Sequence, residues 1–247
     1  MNILVVGAGA MGRWLGQALL EDAPTAVSVA FTDETAAAAT AAADALDARA
    51  VATDTEERFD AVCIAVPIPA VTDAINQYAD RARDAIFDVS GTMAAPVESM
   101  REHAPDRERL SLHPLFAPAN EPGNVPVVVG NAGRVTNLVR ATLSERGNDL
   151  FETTATEHDE AMETVQARTH AAVLSYALAA DDVDERFHTP ISAELQELAR
   201  AVTAGDARVY SDIQAAFDGA DDVAEAARRI ADADPEAFER LYADAGE

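Results

Sequence analysis

The sequence predicts an α/β fold: a Rossmann-type doubly wound parallel sheet over residues 1–154, then an all-helical domain over 155–247. Three observations predict it. Short apolar runs alternate with helical patterns through the N-terminal part, as consecutive βα units require. A glycine-rich turn, Gly7-Ala8-Gly9-Ala10-Met11-Gly12, joins the first run to the first helix. Beyond Glu157 no strand pattern occurs, and long helical patterns fill the remainder.

Taken in order, Asn2 to Val6 is a strand and Met11 to Leu20 a helix. Ala26 to Phe31 is the second strand, ending at Thr32-Asp33, and the alanine-rich Thr35 to Leu46 is the second helix. A short segment near Ala50 precedes the strand Ala61 to Val66, and Pro69 to Ala82 reads as a helix. Strand Ala85 to Val89, helix Ala94 to His103, and strands Leu110 to Leu112 and Val125 to Val129 follow. Helix Thr136 to Arg146 and a strand near Leu150 to Thr153 complete the first domain. The second holds helices over Glu157–Ala180, Pro190–Ala204, Tyr210–Asp218, Val223–Ala233 and Pro235–Ala243. Pro235 behind Asp234 marks a helix start, a proline at the first position after a capping carboxylate.

Composition narrows the class. About half the residues are apolar, enough for a substantial core. No apolar run reaches the roughly 18 residues that a membrane-crossing helix needs. Met1 leads straight into the first strand, so no signal peptide is expected. The single cysteine, Cys63, lies inside a strand, which points to a reducing, cytoplasmic compartment and no disulfide framework. There are 44 acidic against 18 basic residues, every basic one an arginine, for a net charge of −26. So acidic a chain is not expected to bind nucleic acid or an anionic membrane. Its periodic apolar segments set it apart from acidic disordered chains. The composition suits the cytosol of a salt-accumulating halophile, where screening shortens the Debye length to about 3 Å at 1 M salt.

The glycine turn carries the first functional reading. Gly7 permits the tight turn, Gly9 lets the backbone approach a pyrophosphate, and Gly12 lets the helix pack close to the sheet. The amides of Ala10 and Met11 open the helix, whose N-terminus supplies free N–H groups and partial positive charge to phosphates. Asp33 lies 21 residues past Gly12, where a carboxylate accepts from both ribose hydroxyls. It repels a 2′-phosphate, and no arginine occurs between Asp33 and Ala48 to neutralise one. NAD is therefore expected rather than NADP. Ala65-Val66-Pro67 ends a strand whose backbone is expected along the far half of the cofactor, with Val66 and Pro67 in contact.

Acid–base chemistry points to the five histidines. His103 and His188 lie in charged stretches and read as solvated. His113 opens His113-Pro114-Leu115-Phe116-Ala117-Pro118, a proline-stiffened loop at the carboxyl end of the sheet, where a base can face a nicotinamide. It is also consistent with a histidine that merely caps a strand. A second cluster, Glu157-His158-Asp159 with Met162, Gln166 and His170, forms a helical stripe that drifts about 40° per four-residue step. His158 and His170 are about 18 Å apart along such a helix and cannot both touch one small substrate. Gln166 and His170, one turn apart, can. Such a stripe is also consistent with a solvated face. The histidines are scattered, so no metal site is expected. No P-loop or nucleophile elbow occurs.

These residues resemble the prephenate dehydrogenase family of tyrosine biosynthesis. His113 to Pro118 is similar to that family's H-P-M-F-G-P loop, and His158 to His170 to its H-D-x-x-M-x-x-x-Q-x-x-x-H helix. Thr189-Pro190-Ile191 and Tyr210-Ser211-Asp212-Ile213 match later landmarks, so the resemblance reaches about residue 215. It implies an NAD-dependent oxidative decarboxylation of prephenate to 4-hydroxyphenylpyruvate. In it His113 accepts a hydrogen bond from the ring C4 hydroxyl while hydride leaves for the nicotinamide. It also implies a homodimer through the helical domain. Two departures stand out. Asp88-Val89-Ser90-Gly91-Thr92-Met93 replaces the family's D-x-x-S-V-K, which leaves Ser90 or Thr92 to hold the ring carboxylate. Ala193 stands where the family has a substrate-binding arginine, and Arg200 or Arg168 is the replacement cation. Arogenate dehydrogenase is the alternative within the family. An imine or ketoacid reductase of the same fold, and a non-catalytic NAD sensor, are the alternatives outside it.

Overall fold

The computed structural model describes residues 1–246, which fall into two compact units, Met1–Asp159 and the chain from Glu160 onward. The first is built on one eight-stranded sheet of order β3-β2-β1-β4-β5-β6-β7-β8. Its strands are β1 (Asn2–Val6), β2 (Ser28–Thr32), β3 (Arg49–Ala50), β4 (Phe59–Ile64), β5 (Ala82–Asp88), β6 (Glu108–Leu112), β7 (Asn124–Asn131) and β8 (Asp149–Glu152). Helices α1 (Ala10–Glu21), α2 (Ala36–Ala45), α3 (Val71–Tyr78), α4 (Ala94–His103) and α5 (Arg134–Glu145) connect them, and α6 (Ala155–Met162) follows.

Both faces of the central strands are covered, which is why β1 reads as an unbroken apolar run. Alternate residues go opposite ways. Ile3 and Val5 join Leu15, Leu19, Phe31, Phe87 and Val139 in one core cluster. Leu4 and Val6 join Val62, Ile75, Ile86 and Met100 in the other. The strand order reverses between β1 and β4, and the crevice outside the carboxyl ends at such a reversal is where ligands bind in open α/β sheets.

The sheet is not wholly parallel. β7 runs antiparallel to β6, and β8 is parallel to β7. The connection from Leu112 to Asn124 holds no crossover helix, and without one the chain can only double back. That doubling back makes the His113 loop.

The second unit is helical, with α7 (Thr169–Ala179), α8 (Pro190–Thr203), α9 (Ala207–Ala216), α10 (Gly219–Asp232) and α11 (Pro235–Asp244). The single helix expected over Glu157–Ala180 is instead interrupted by a π-helical segment, Glu163–Arg168, between α6 and α7. Gln214 on α9 donates to the Ala167 carbonyl (2.9 Å) and the Thr169 hydroxyl to that of Thr164 (2.9 Å), so side chains serve backbone groups in the widened turn. Among the described residues no helix is long and apolar enough to cross a membrane.

Candidate active site

The glycine turn sits at the strand-order reversal. Gly7 has φ +101°, and a Cβ on it would stand 2.3 Å from the Ala65 carbonyl oxygen and 3.2 Å from a Val66 methyl. Only glycine meets both demands. A Cβ on Gly12 would lie 2.0 Å from the Gly7 carbonyl oxygen, so α1 could not otherwise start this close to β1. At Gly9, by contrast, a Cβ would meet nothing within 4 Å. Gly9 also caps α1 without any side-chain hydrogen bond, so the first amides of the helix, from Ala10 and Met11 on, face open space. This is the cradle an anionic pyrophosphate needs.

Asp33 closes one side of the turn. Its Oδ2 accepts from the Ala8 amide and its Oδ1 from the Thr35 amide, both at 2.8 Å, so the carboxylate is held in one orientation with lone pairs to spare. Pro67 starts a short 3₁₀ turn (Ile68–Ala70) directly after β4, on the other side of the reversal. Arg13, which no sequence motif marks, donates from Nε to the Ala8 carbonyl (2.9 Å) and holds an exposed guanidinium at the loop. Its signal was only its place in the first turn after Gly12.

His113 is buried where β6 turns into its loop. The loop stays zipped to β7: the His113 amide donates to the Pro126 carbonyl (3.2 Å) and that of Leu115 to Asn124 (3.0 Å). Phe116 packs edge-to-face on Trp14 of α1, with ring centroids 5.5 Å apart. Burial and the neighbouring His158 ring push the His113 imidazole down to about 3, against a partial lift from Asp159. It is therefore neutral at physiological pH. Its Nδ1 lies 2.9 Å from His158 Nε2, and His158 Nδ1 lies 2.7 Å from Asp159 Oδ1. Asp159 in turn accepts from the amides of Met93 and Ala94, both at 2.9 Å, where α4 begins. His158, on a stripe whose sequence is equally consistent with a solvated face, is 2% exposed. Helical periodicity could show which side His158 faces but not that a histidine on a distant strand end waits there.

The β5–α4 loop meets the other edge of the ring. A Cβ on Gly91 would stand 3.8 Å from His113 Nε2. Ser90 and Thr92 flank it. Ser90 is buried, its amide donating to Asp88 Oδ2 (3.0 Å) and its hydroxyl oxygen accepting from the Thr92 amide (3.4 Å). Asp88 is fully buried, and that burial lifts its carboxyl to about 7, against the opposing hydrogen bond from the Ser90 amide.

The remaining predicted residues lie in the helical unit. Gln166 and Arg168 are in the π-helical segment, and His170 opens α7. The His170 ring packs edge-to-face on Tyr210 (centroids 4.7 Å apart), and its buried Nδ1 has no hydrogen-bond partner among the described residues. Arg168 pairs with Asp222 (2.7 Å) and Glu163 (3.4 Å), so its charge is already neutralised. Arg200, exposed near the end of α8, has no carboxylate partner among the described residues.

An open α/β sheet with an uncapped glycine turn at its reversal defines a dinucleotide-binding protein of the Rossmann class. Residues 15–125 match the family described as prephenate dehydrogenase, nucleotide-binding domain. A 4-amino-4-deoxyprephenate dehydrogenase of Streptomyces pristinaespiralis is 30% identical over 271 residues, spanning 98% of this chain and 88% of that one. The chain belongs to the prephenate dehydrogenase family of oxidoreductases. Solved structures that share its fold include two at 14% identity. Prephenate dehydrogenase from A. aeolicus, in complex with hydroxyphenyl propionate and NAD+, has a TM-score of 0.72 over 98% of this chain and 95% of its own. Synechocystis arogenate dehydrogenase has a TM-score of 0.63 over 100% and 98%.

Proposed function

We propose that this chain oxidises prephenate to 4-hydroxyphenylpyruvate with NAD. The observation that carries the reading is His113: a buried, neutral imidazole on a loop locked to β7, beside the carboxyl edge of a nucleotide-binding sheet. The residues at the reversal fit the cofactor. Gly9 and the first amides of α1 hold the pyrophosphate, Asp33 takes the ribose hydroxyls and repels a 2′-phosphate, and Val66 and Pro67 line the far half. When bound, NAD accepts the hydride from C4 of the ring.

His113 accepts the hydrogen bond of the C4 hydroxyl as that carbon gains carbonyl character. The ring carboxylate departs as CO2, its bonding electrons complete the aromatic ring, and the shared proton stays with the phenol oxygen. No net proton is released. A neutral imidazole suits this task over the whole physiological range, since no proton occupies its acceptor nitrogen. Ser90 and Thr92 hold the ring carboxylate, and Gln166 and His170 contact the rest of the substrate. Arg200, rather than the already paired Arg168, supplies the cation for a dianion in so acidic a protein. The helical unit joins two copies as a homodimer.

A second reading is favoured by the Streptomyces pristinaespiralis relative: 4-amino-4-deoxyprephenate as substrate. It differs at the C4 substituent, and a lone pair on His113 accepts from N–H as from O–H. NADH formation at high salt with prephenate, arogenate and 4-amino-4-deoxyprephenate, each with NAD and with NADP, decides among them. Prephenate with NAD is expected to give the highest kcat/KM, and His113→Asn to lower kcat by about 10²–10⁴-fold. No turnover of any of the three would overturn the proposal, and full kcat in His113→Asn would remove His113 from its role.

A further inference from the structure

Four hydrogen bonds in the first unit form a chain from a helix end to His113. The Met93 and Ala94 amides donate to the Asp159 carboxylate, His158 Nδ1 meets the same carboxylate, and His158 Nε2 meets His113 Nδ1. Burial works against the charge on Asp159, but the bonds from His158, Ala94 and Met93 more than offset it and hold the carboxyl below its ordinary range. An ionised carboxylate can only accept, so His158 Nδ1 carries the proton. A neutral imidazole protonated at Nδ1 has its lone pair at Nε2. His113 must then donate from Nδ1, which leaves the lone pair of His113 at Nε2, on the side facing Gly91.

We propose that His158 and Asp159 are positioning residues that set the tautomer of His113, making its Nε2 the hydrogen-bond acceptor for the substrate. Neither touches substrate in this scheme. The inference deepens the function proposed above and takes its chemical meaning from it. Without the carboxylate the chain has no preferred direction. Reversing it would put a proton on His113 Nε2 and turn the acceptor into a donor. The chain also stabilises charge. Partial positive charge that grows on His113 as the hydroxyl proton is shared is passed toward His158, beside the carboxylate at the positive end of α4. A purely structural role is the competing explanation, because Asp159 caps a helix whose own N-cap, Met93, has no capping side chain.

The two roles separate in Asp159→Asn, since asparagine caps helices as well as aspartate does but is both donor and acceptor. The ¹⁵N shifts of the His113 ring, in the full-length protein at neutral pH and high salt, report its tautomer without any substrate. Wild type is expected to show His113 protonated at Nδ1, and Asp159→Asn a mixture. In turnover, Asp159→Asn and His158→Leu are expected to lower kcat by about 10²-fold or more with the KM for NAD unchanged. His158→Gln, whose amide oxygen can take the place of Nε2 as acceptor, is expected to recover at least tenfold over His158→Leu. A wild-type His113 protonated at Nε2, or an unchanged tautomer and kcat in Asp159→Asn whatever its melting temperature, would overturn the assignment. If wild type turns over none of the three substrates, the proposed function fails while the ring shifts still decide the tautomer.

Discussion

Asp88 and His113 lie near one another in the fold, Asp88 paired in register with Ser111 two residues before His113, and burial drives the two in opposite directions. For His113 the folded value, about 3, is below the ordinary 6.5, so the unfolded chain binds more protons between them. Its contribution to stability is present above 6.5 and lost as pH falls toward 3. For Asp88 the folded value, about 7, is above the ordinary 3.8. There the folded state binds more protons, so its contribution is present below 3.8 and lost as pH rises through 7. The two slopes oppose each other across the acidic range. Asp88→Asn removes one and keeps an oxygen to accept from the Ser90 amide. Relative to wild type, the variant is expected to gain roughly 2–3 kcal/mol between pH 5 and pH 8, or about 5–10 °C in Tm. Thermal melts at both pH values in the same salt measure it. A Tm difference that does not change with pH would mean the Asp88 carboxyl does not titrate in this range.

At the level of elements, the parts legible in the sequence were those governed by local rules. The glycine turn, Asp33 and α4, found over Ala94–His103 as expected, depend on neighbours close in the chain or on a single sheet crossing. The antiparallel β7 was hidden because an apolar strand pattern carries no direction. The π-helical segment was hidden because Thr164 and Ala167 read as ordinary helix residues until side chains from Thr169 and Gln214 occupy their carbonyls. The tie between His113 and His158 spans 45 residues and no periodicity encodes it. Apolar stripes in the second unit were visible, but not what covers them. Leu178 on α7 is 88% exposed, Ile191 on α8 78%, and α11 buries no residue at all. Helices with apolar residues this open are incomplete by themselves, and a second copy is the proposed cover. Light scattering in high salt is expected to give a dimer for wild type and a monomer for the Leu178→Asp, Ile191→Asp double variant. A monomeric wild type would remove the homodimer.

For the whole molecule the governing quantity is a net charge of −26 on 247 residues. The arginines offset it only locally. Arg146 gathers Asp22 (2.5 Å) and Glu121 (2.6 Å) and holds the Glu121 carboxyl down at about 2 against burial. Most other pairs are exposed, such as Arg228 with Glu225 and Arg240 with Glu236, and exposed pairs contribute little. Self-repulsion must therefore be met by solvent ions. At 1 M salt the Debye length is about 3 Å and neighbouring surface charges hardly sense one another, whereas at 0.1 M it is about 10 Å and reaches across a helix face. The two units are unequal before this stress. The sheet has a continuous core on both faces, while α10 buries only Gly219 and α11 nothing. Lowering salt from about 3 M to about 0.1 M is expected to reduce the far-UV helical signal first, with the near-UV signal of Trp14, packed on Phe116 in the first unit, persisting to lower salt. Adding NAD is expected to shift the Trp14 transition to lower salt and leave the helical one in place, because a ligand stabilises the state that binds it. Circular dichroism across the salt series tests both, and an unchanged spectrum at the lowest salt would sever the acidic surface from any adaptation to high salt.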